Sequence, residues 1–172
     1  MSSSKPAAGA AFPEIVVPLV SGGSLTLGRG GGWQLVVVYR GKHCPLCRRY
    51  LGQLESLRAA FAGQEVTITL VSADPLEKAV ATRDEWGLSL ALAYGLTVEQ
   101  MRALGLYVSA PRSPAETDRP FAEPGLFVVN PAGQLHIVDI ANAPFVRPDP
   151  QGLLDGIAWI RAKDYPIRGT LD

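Results

Sequence analysis

The chain has 172 residues, of which 47% are hydrophobic and 19% charged, which is enough to bury a substantial core and is most simply interpreted as one domain over residues 12–172. Its 16 basic and 16 acidic side chains cancel, which argues against nucleic acid and against an anionic membrane surface as partners, because both attract proteins with a strong positive field. Small molecules are the better expectation.

Residues 1–11 are rich in Ser, Ala, Gly and Pro, and we predict that they form a flexible tail. They lack the continuous apolar segment of a secretory signal, and no later stretch has the length of a membrane span. The two cysteines lie three positions apart, which cannot staple a secreted scaffold but suits a redox motif in a reducing compartment. We therefore predict a cytoplasmic protein without membrane association.

The next segment predicts short strands followed by a central one. Residues 15–20 and 24–27 flank a Ser-Gly-Gly turn and predict a β-hairpin. Pro18 marks the first of these strands as an edge, because proline has no N–H to donate to a neighbour. Residues 34–39 form an apolar, β-branched run typical of a central strand that is covered on both faces.

A strand–helix–strand–helix unit then follows. From Leu46 the apolar spacing changes to about 3.6 residues through Phe61, which predicts one helix of about four turns. Residues 65–71 predict the next strand. Asp74 and Pro75 predict a helix start, with Asp74 as the N-cap and Pro75 as the first helical residue.

The second half predicts a β-hairpin and a closing helix. Thr97 and Gln100 form the pattern of a capping box at a short helix, and the Pro-rich residues 109–120 predict a surface loop. Residues 125–130 and 134–140 predict a hairpin, and residues 151–162 a helix. A βαβ half followed by a ββα half predicts a thioredoxin-like α/β fold, with a central mixed sheet flanked by helices and an N-terminal hairpin extension.

The strongest chemical signal is Cys44-Pro45-Leu46-Cys47 at the junction of the central strand and the long helix. At this place backbone N–H groups and the helix dipole favour a Cys44 thiolate. Pro45 fits the first helical position, and Cys47 lies one turn later, where its sulfur can resolve an oxidised Cys44. Basic side chains that should also favour the thiolate precede it: Arg40, Lys42 and His43.

Two other interpretations of the cysteine pair are weaker. Two inert buried cysteines are common, but the spacing, the intervening proline and the strand-to-helix context argue against them here. A zinc site needs about four ligands, and only His43 and the distant His136 are available to complete one. We expect neither a metal nor an organic cofactor.

Residues 36–51, read as VVVYRGKHCPLCRRYL, are similar to the active-site segment of peroxiredoxin-like proteins in the alkyl hydroperoxide reductase/thiol-specific antioxidant (AhpC/TSA) family of the thioredoxin-like superfamily. The similarity extends over residues 14–162, with supporting elements at 71–75, 93–96 and 127–133. It implies an antioxidant enzyme that reduces peroxides, with an external dithiol such as a thioredoxin or glutathione system as reductant. Whether the chain forms a homodimer stays open.

The sequence departs from the family's peroxide-binding pattern, which resembles Pro-x-x-x-Thr-x-x-Cys with a later Arg. Aligned on Cys44, Val37 replaces the Pro and Gly41 the Thr. Pro124 stands where the Arg precedes the Gly-Leu-Phe strand. Thioredoxins have a cis proline there that docks substrates, so the bond before Pro124 is a candidate cis peptide, with an ordinary trans proline as the alternative. The candidates to replace the guanidinium are Arg40 first, and then Arg119 and Arg147.

Three functions follow from these residues. The first is a thiol peroxidase, the second a thiol–disulfide oxidoreductase in which Pro124 guides the substrate, and the third a non-enzymatic redox-sensing module. The first two share Cys44 as nucleophile, and the missing Thr and Arg weigh against a fast peroxidase. All of them require a sulfur that reactants can reach, so a Cys44 side chain sealed among apolar groups would contradict the redox assignment.

Overall fold

The computed structural model describes residues 5–171. Nine strands lie among these residues: β1 (Val16–Pro18), β2 (Ser24–Thr26), β3 (Trp33–Val38), β4 (Val66–Val71), β5 (Ala91–Ala93), β6 (Val108–Ser109), β7 (Phe121–Ala122), β8 (Gly125–Val129) and β9 (Leu135–Ile140). The helices of the same part of the chain are α1 (Pro45–Ser56), α2 (Arg58–Gly63), α3 (Leu76–Trp86), α4 (Val98–Ala103) and α5 (Pro150–Lys163). None of these helices is both long and apolar enough to cross a bilayer.

A five-stranded mixed sheet organises the fold, with strand order β5-β4-β3-β8-β9. Strand β3 lies at its centre, parallel to β4 and antiparallel to β8. Every residue of β3 after Trp33 is buried, as expected for an apolar β-branched run that is covered on both faces. The cysteine motif therefore follows the carboxyl end of β3, at the edge of a buried sheet.

Alternate residues of the central strands feed two separate cores. Leu35 and Val37 of β3 pack into the first core with residues of α1, α2 and α5. Val36 and Val38 pack into the second core with the N-terminal hairpin and α4. This division follows from the two-residue repeat of a strand, which sends successive side chains to opposite faces. Both cysteines belong to the first core, and the predicted thioredoxin-like fold is confirmed.

The predicted hairpins, capping box and closing helix are also confirmed. β1 pairs with β2 and β8 with β9, each pair antiparallel. At α4, the Thr97 hydroxyl accepts the Gln100 N–H at 3.2 Å, and the Gln100 side chain accepts the Thr97 N–H at 3.0 Å. α5 begins after Asp149, whose carboxylate accepts the Gly152 N–H at 2.8 Å. Local side chains therefore satisfy N–H groups at two helix starts, as sequence rules expect.

The single helix predicted from Leu46 through Phe61 is wrong, because the structure divides it into α1 and α2. Leu57 separates the two with φ −96° and ψ 4°, and its N–H bonds to the carbonyl of Leu54 at 3.1 Å. Leu57 still packs against the first core. The apolar spacing thus continues across the break, which is why the spacing alone does not show it.

The predicted capping role of Asp74 is also wrong. α3 begins at Leu76 with Pro75 as its N-cap, and no side chain caps it. The Asp74 carboxylate is instead buried and accepts the backbone N–H of Lys42 at 2.7 Å. The Asp74 carboxylate therefore binds the loop before the cysteines and does not cap the start of α3, as it would in an isolated helix.

The predicted tail does not extend to residue 11. Residues 1–4 lie outside the described part of the chain, but residues 9–12 bond to the turn before β9 and to its first residue. The Gly9 N–H donates to the Leu135 carbonyl at 2.8 Å, the Leu135 N–H donates to the Ala10 carbonyl at 2.9 Å, and Phe12 donates to Gly133 at 2.9 Å. These bonds use the unpaired edge of β9, so ordering there depends on the backbone and not on the small side chains that predicted a tail.

Candidate active site

The cysteine pair lies at the first turn of α1. Cys44 is the N-cap residue, with an extended backbone (φ −106°, ψ 103°), and Pro45 takes the first helical position as predicted. The Cys44 sulfur accepts the Cys47 N–H at 3.2 Å. The two sulfurs are joined as a disulfide, with the Cα atoms 5.2 Å apart. The helix terminus thus offers a donor to the Cys44 sulfur, as the motif predicts.

Both cysteines are buried in this disulfide form. Cys44 is 1% exposed and Cys47 is 0% exposed, so Cys44 is far less accessible than a simple surface nucleophile. Each sulfur contacts a hydrogen-bond donor, so the immediate surroundings of the pair are not purely apolar, but neither sulfur is open to reactants in this form. Reactants can therefore reach Cys44 only through a local opening at the start of α1, where Pro45 is exposed and Leu46 is 40% exposed.

Arg147 is the guanidinium that the structure brings to the pair. It lies in the β9–α5 loop, residues 141–149, and its Nη2 donates to the Cys47 sulfur at 2.9 Å. Its Nη1 donates to the Leu46 carbonyl at 3.3 Å. Burial lowers the pKa of Arg147 to about 10, so the group keeps its positive charge at neutral pH.

Tyr50 holds the β9–α5 loop in place. Its ring packs under the Arg147 guanidinium, 5.0 Å from ring centre to Cζ, and its hydroxyl donates to the Pro148 carbonyl at 2.8 Å. Burial raises the pKa of Tyr50 to about 12, so the hydroxyl stays protonated and remains a donor. Tyr50 follows Cys47 by three positions on α1, a spacing that places the two side chains on one helix face.

Carboxylates engage two of the basic side chains predicted to favour the Cys44 thiolate. Arg40 Nε lies 3.1 Å from Glu123 Oε2, and its guanidinium is also 3.7 Å from Glu116. Lys42 Nζ lies 2.9 Å from Glu85 Oε2. These ion pairs offset much of the positive potential that Arg40 and Lys42 would otherwise apply to the thiolate.

His43 is placed as a neutral ring. It packs edge-on against Phe121, with the ring centres 4.7 Å apart. Both of its nitrogens are buried, and neither bonds to a side chain or backbone group of the described residues. Burial, the largest effect, lowers the pKa of His43, and the positive charge of Arg40 lowers it further, although Asp74 raises it. His43 is therefore uncharged at neutral pH, and a cationic role at Cys44 is not supported.

Gly41 stands where the family pattern has a Thr, and the structure explains why a side chain is absent. Its φ is +139°, a backbone conformation that side chains disfavour. A Cβ there would lie 2.9 Å from Asp74 Oδ1 and 3.1 Å from His43 Nδ1. Asp74 occupies the space, and burial raises the pKa of its carboxyl group. A side chain at position 41 would therefore compete for space with the Asp74 carboxylate, which belongs to another loop.

The remaining predicted residues lie on either side of the pair. The Glu123–Pro124 bond is trans, which is the alternative to the cis proline. Pro124 shares a cavity of about 10 Å³ with Tyr50 and Arg147, room for about one water molecule. Arg119 is bound to Asp118 through Nε at 3.1 Å and Nη2 at 3.0 Å. Of the candidate arginines, the structure assigns Arg147 to the sulfurs and leaves Arg119 at the surface.

Sequence reasoning missed several residues around the pair. Tyr50 could have been found from its spacing to Cys47. Asp74, Glu116 and Glu123 could not, because nothing local shows that they would approach residues 40–43. Within the described residues, no group of three or more His, Cys, Asp or Glu side chains is arranged to hold a metal ion.

Comparison with known proteins points to the same fold. A model of the AhpC/TSA family matches residues 8–138. No curated protein sequence matches the chain. A peroxiredoxin-like protein from Aquifex aeolicus superposes with a TM-score of 0.77 at 15% identity, over 92% of this chain and 90% of that one. A mutant peroxiredoxin 6 from Arenicola marina superposes with a TM-score of 0.76 at 17% identity, over 92% of this chain and 74% of that one. AhpC from Enterococcus faecalis superposes with a TM-score of 0.74 at 14% identity, over 94% of this chain and 98% of that one. At such identities the structural likeness establishes the fold alone.

Proposed function

We propose that this chain, which belongs to the AhpC/TSA family and is a thiol-dependent oxidoreductase, is a peroxidase with Cys44 as nucleophile and Cys47 as resolving thiol. The observation that carries the proposal is the disulfide at the first turn of α1, where the Cys44 sulfur accepts the Cys47 N–H. The same donor stabilises a Cys44 thiolate in the reduced protein.

The proposed reaction has two chemical steps. The Cys44 thiolate attacks one peroxide oxygen, the O–O bond breaks, and the departing oxygen leaves as hydroxide or alkoxide and takes a proton. Cys44 is then a sulfenic acid. The Cys47 thiolate attacks the Cys44 sulfur, the S–O bond breaks, and water leaves after protonation. The peroxide has gained two electrons, and the protein holds the disulfide that the structure shows.

A reductant must then restore the thiols, and we propose a protein or small-molecule dithiol in this role. A dithiol supplies two electrons and leaves as a disulfide, so no further cofactor is required. The exposed Pro45 and partly exposed Leu46 mark the side from which such a reductant would approach Cys44.

A second candidate function is thiol–disulfide exchange with a disulfide substrate. Two observations favour it: Gly41 brings no hydroxyl to the peroxide position, and Pro124 replaces the family's Arg at the start of β8. Under this alternative Cys44 attacks a substrate disulfide and Cys47 releases the product. The chemistry at the two cysteines is otherwise the same.

Stopped-flow oxidation of the reduced protein separates the two functions. Trp86 packs against the first core near Tyr39, so tryptophan fluorescence offers a reporter of the change at the pair. Hydrogen peroxide should oxidise Cys44 with a second-order rate constant well above that of free cysteine measured under the same conditions. Cys47→Ser should retain the first oxidation step and lose disulfide formation, whereas Cys44→Ser should lose both.

The outcome that contradicts a peroxidase is equally defined. A rate constant no greater than that of free cysteine, together with efficient reduction of insulin disulfides by the reduced protein, would assign thiol–disulfide exchange instead. Failure in both assays would leave the redox-sensing module. Because the assays start from the same reduced protein, loss of folding cannot explain a difference between them.

A further inference from the structure

The two sulfurs of the disulfide are held by different kinds of donor. The Cys44 sulfur accepts one neutral backbone N–H at 3.2 Å. The Cys47 sulfur accepts a guanidinium N–H at 2.9 Å from Arg147, which carries a full positive charge. Hydrogen bonds from a charged donor are about twice as strong as neutral ones. The negative charge that appears when the disulfide opens is therefore better stabilised on Cys47 than on Cys44.

The fold also decides which sulfur an incoming thiolate can attack. Cys44 is the N-cap, beside the exposed Pro45, whereas Cys47 lies one turn inside α1 and is covered by Arg147. Arg147 is fixed over Cys47 by its second bond, to the Leu46 carbonyl, and by the ring of Tyr50. An incoming thiolate should therefore attack the Cys44 sulfur, which lies nearer the exposed Pro45, and Cys47 should leave, because Arg147 stabilises its negative charge.

We infer that Arg147 is a catalytic residue of the reductive half of the cycle, where it stabilises Cys47 as the leaving thiolate when a dithiol opens the disulfide. This rests on the proposed function only in taking the disulfide as a state that must be reduced. The reductant thiolate bonds to the Cys44 sulfur, the Cys44–Cys47 bond breaks, and its electron pair stays on Cys47 beside Arg147. The second reductant thiol, after losing its proton, displaces Cys44, and the reductant leaves as a disulfide.

The test is Arg147→Met, which keeps an unbranched side chain and removes the charge and the donors. Arg119→Met is the matched control, because it is the same chemical change at an arginine bound to Asp118 on the surface. The oxidised proteins are mixed with dithiothreitol and the loss of disulfide is followed by stopped flow. Arg147→Met should be reduced at least about tenfold more slowly than the wild type, the size expected for loss of a hydrogen bond to a charged group, and Arg119→Met within twofold.

Two further measurements separate this role from general loosening of the site. In a Cys44→Ser background, the thiolate absorbance of Cys47 should titrate at higher pH when Arg147 is Met. Equilibration with glutathione should leave Arg147→Met more fully in the disulfide form, and Arg147→Lys should recover part of both effects. A merely structural role would not move the titration of Cys47.

Equal rates of reduction for Arg147→Met and the wild type, or equal slowing in Arg119→Met, would overturn the inference. Should Arg147→Met fail to fold, Arg147→Gln retains donors without the charge and is expected to be reduced more slowly than the wild type, because a neutral donor stabilises the Cys47 thiolate less. None of these assays uses peroxide, so failure of the proposed peroxidase function would leave their results interpretable.

Discussion

Replacing Gly41 by Ala tests how tightly the loop before the cysteines is built. The substitution places a Cβ 2.9 Å from Asp74 Oδ1 and 3.1 Å from His43 Nδ1, on a backbone with φ +139°. A residue forced into such a conformation costs about 1–3 kcal/mol, and overpacking adds about 1–3 kcal/mol. We expect Gly41→Ala to lower the free energy of unfolding by about 3 kcal/mol, which for a chain of this length lowers Tm by roughly 6–12 °C.

Urea unfolding measures this loss, and two comparisons assign it to its cause. Gly87 has φ +65° and no heavy atom within 4 Å of a built Cβ, so Gly87→Ala carries backbone strain without a clash and should lose only about 1 kcal/mol. Introducing Gly41→Ala into an Asp74→Ala background should be milder than in the wild type by about 1 kcal/mol or more, because the crowding oxygen is gone.

If Gly41→Ala destabilises the protein no more than Gly87→Ala does, Asp74 does not crowd position 41. Additive effects of Gly41→Ala and Asp74→Ala would also contradict the clash, since a clash between the two positions requires coupling. By the same argument Gly41→Thr, which restores the family's residue, should destabilise the loop instead of improving reaction with peroxide.

Two further predictions concern pH and the β9–α5 loop. Burial raises the pKa of Asp74 above its ordinary 3.8, so the folded state holds a proton that the unfolded chain releases, and Asp74 should make stability fall as pH rises from about 3.8 through the raised value. The unfolding free energy of the wild type minus that of Asp74→Asn should therefore decrease over that window and then level off; a flat difference contradicts the shift. Tyr50→Phe loses the 2.8 Å hydrogen bond to Pro148 and should lower the free energy of unfolding by about 1 kcal/mol. Dithiothreitol should reduce this variant more slowly than the wild type, but faster than Arg147→Met. An unchanged urea midpoint would show that the bond does not hold the loop.

Local patterns predicted most of the fold because each element depends mainly on its own residues. The β-branched run of β3 needs burial on both faces wherever it lies, and Thr97 caps α4 with a partner three residues away. The predictions that were wrong concern residues whose structure is not determined by their own local sequence. Asp74 fits a helix start by sequence, yet the N–H of Lys42 binds it. The break at Leu57 has no Gly or Pro to mark it.

The same distinction separates the site residues. Cys44, Pro45 and Cys47 lie within four consecutive residues, and the predicted junction of strand and helix is enough to place them. Arg147 approaches the pair from 100 residues away, and only the path of the β9–α5 loop, fastened by Tyr50 to Pro148, selects it over Arg119. No local feature of a single sequence predicts that this loop packs against the cysteine pair.

The electrostatics of the pair therefore depend on two donors and not on the basic residues beside it. The charges of Arg40 and Lys42 are engaged by Glu123 and Glu85, and His43 is neutral at pH 7. A Cys44 thiolate is left with the amino terminus of α1, which carries about half a positive charge. Cys47 has the whole charge of Arg147. Because the stronger stabilisation lies on Cys47, the proposed resolving cysteine, the geometry favours opening of the disulfide at least as much as it favours attack on peroxide.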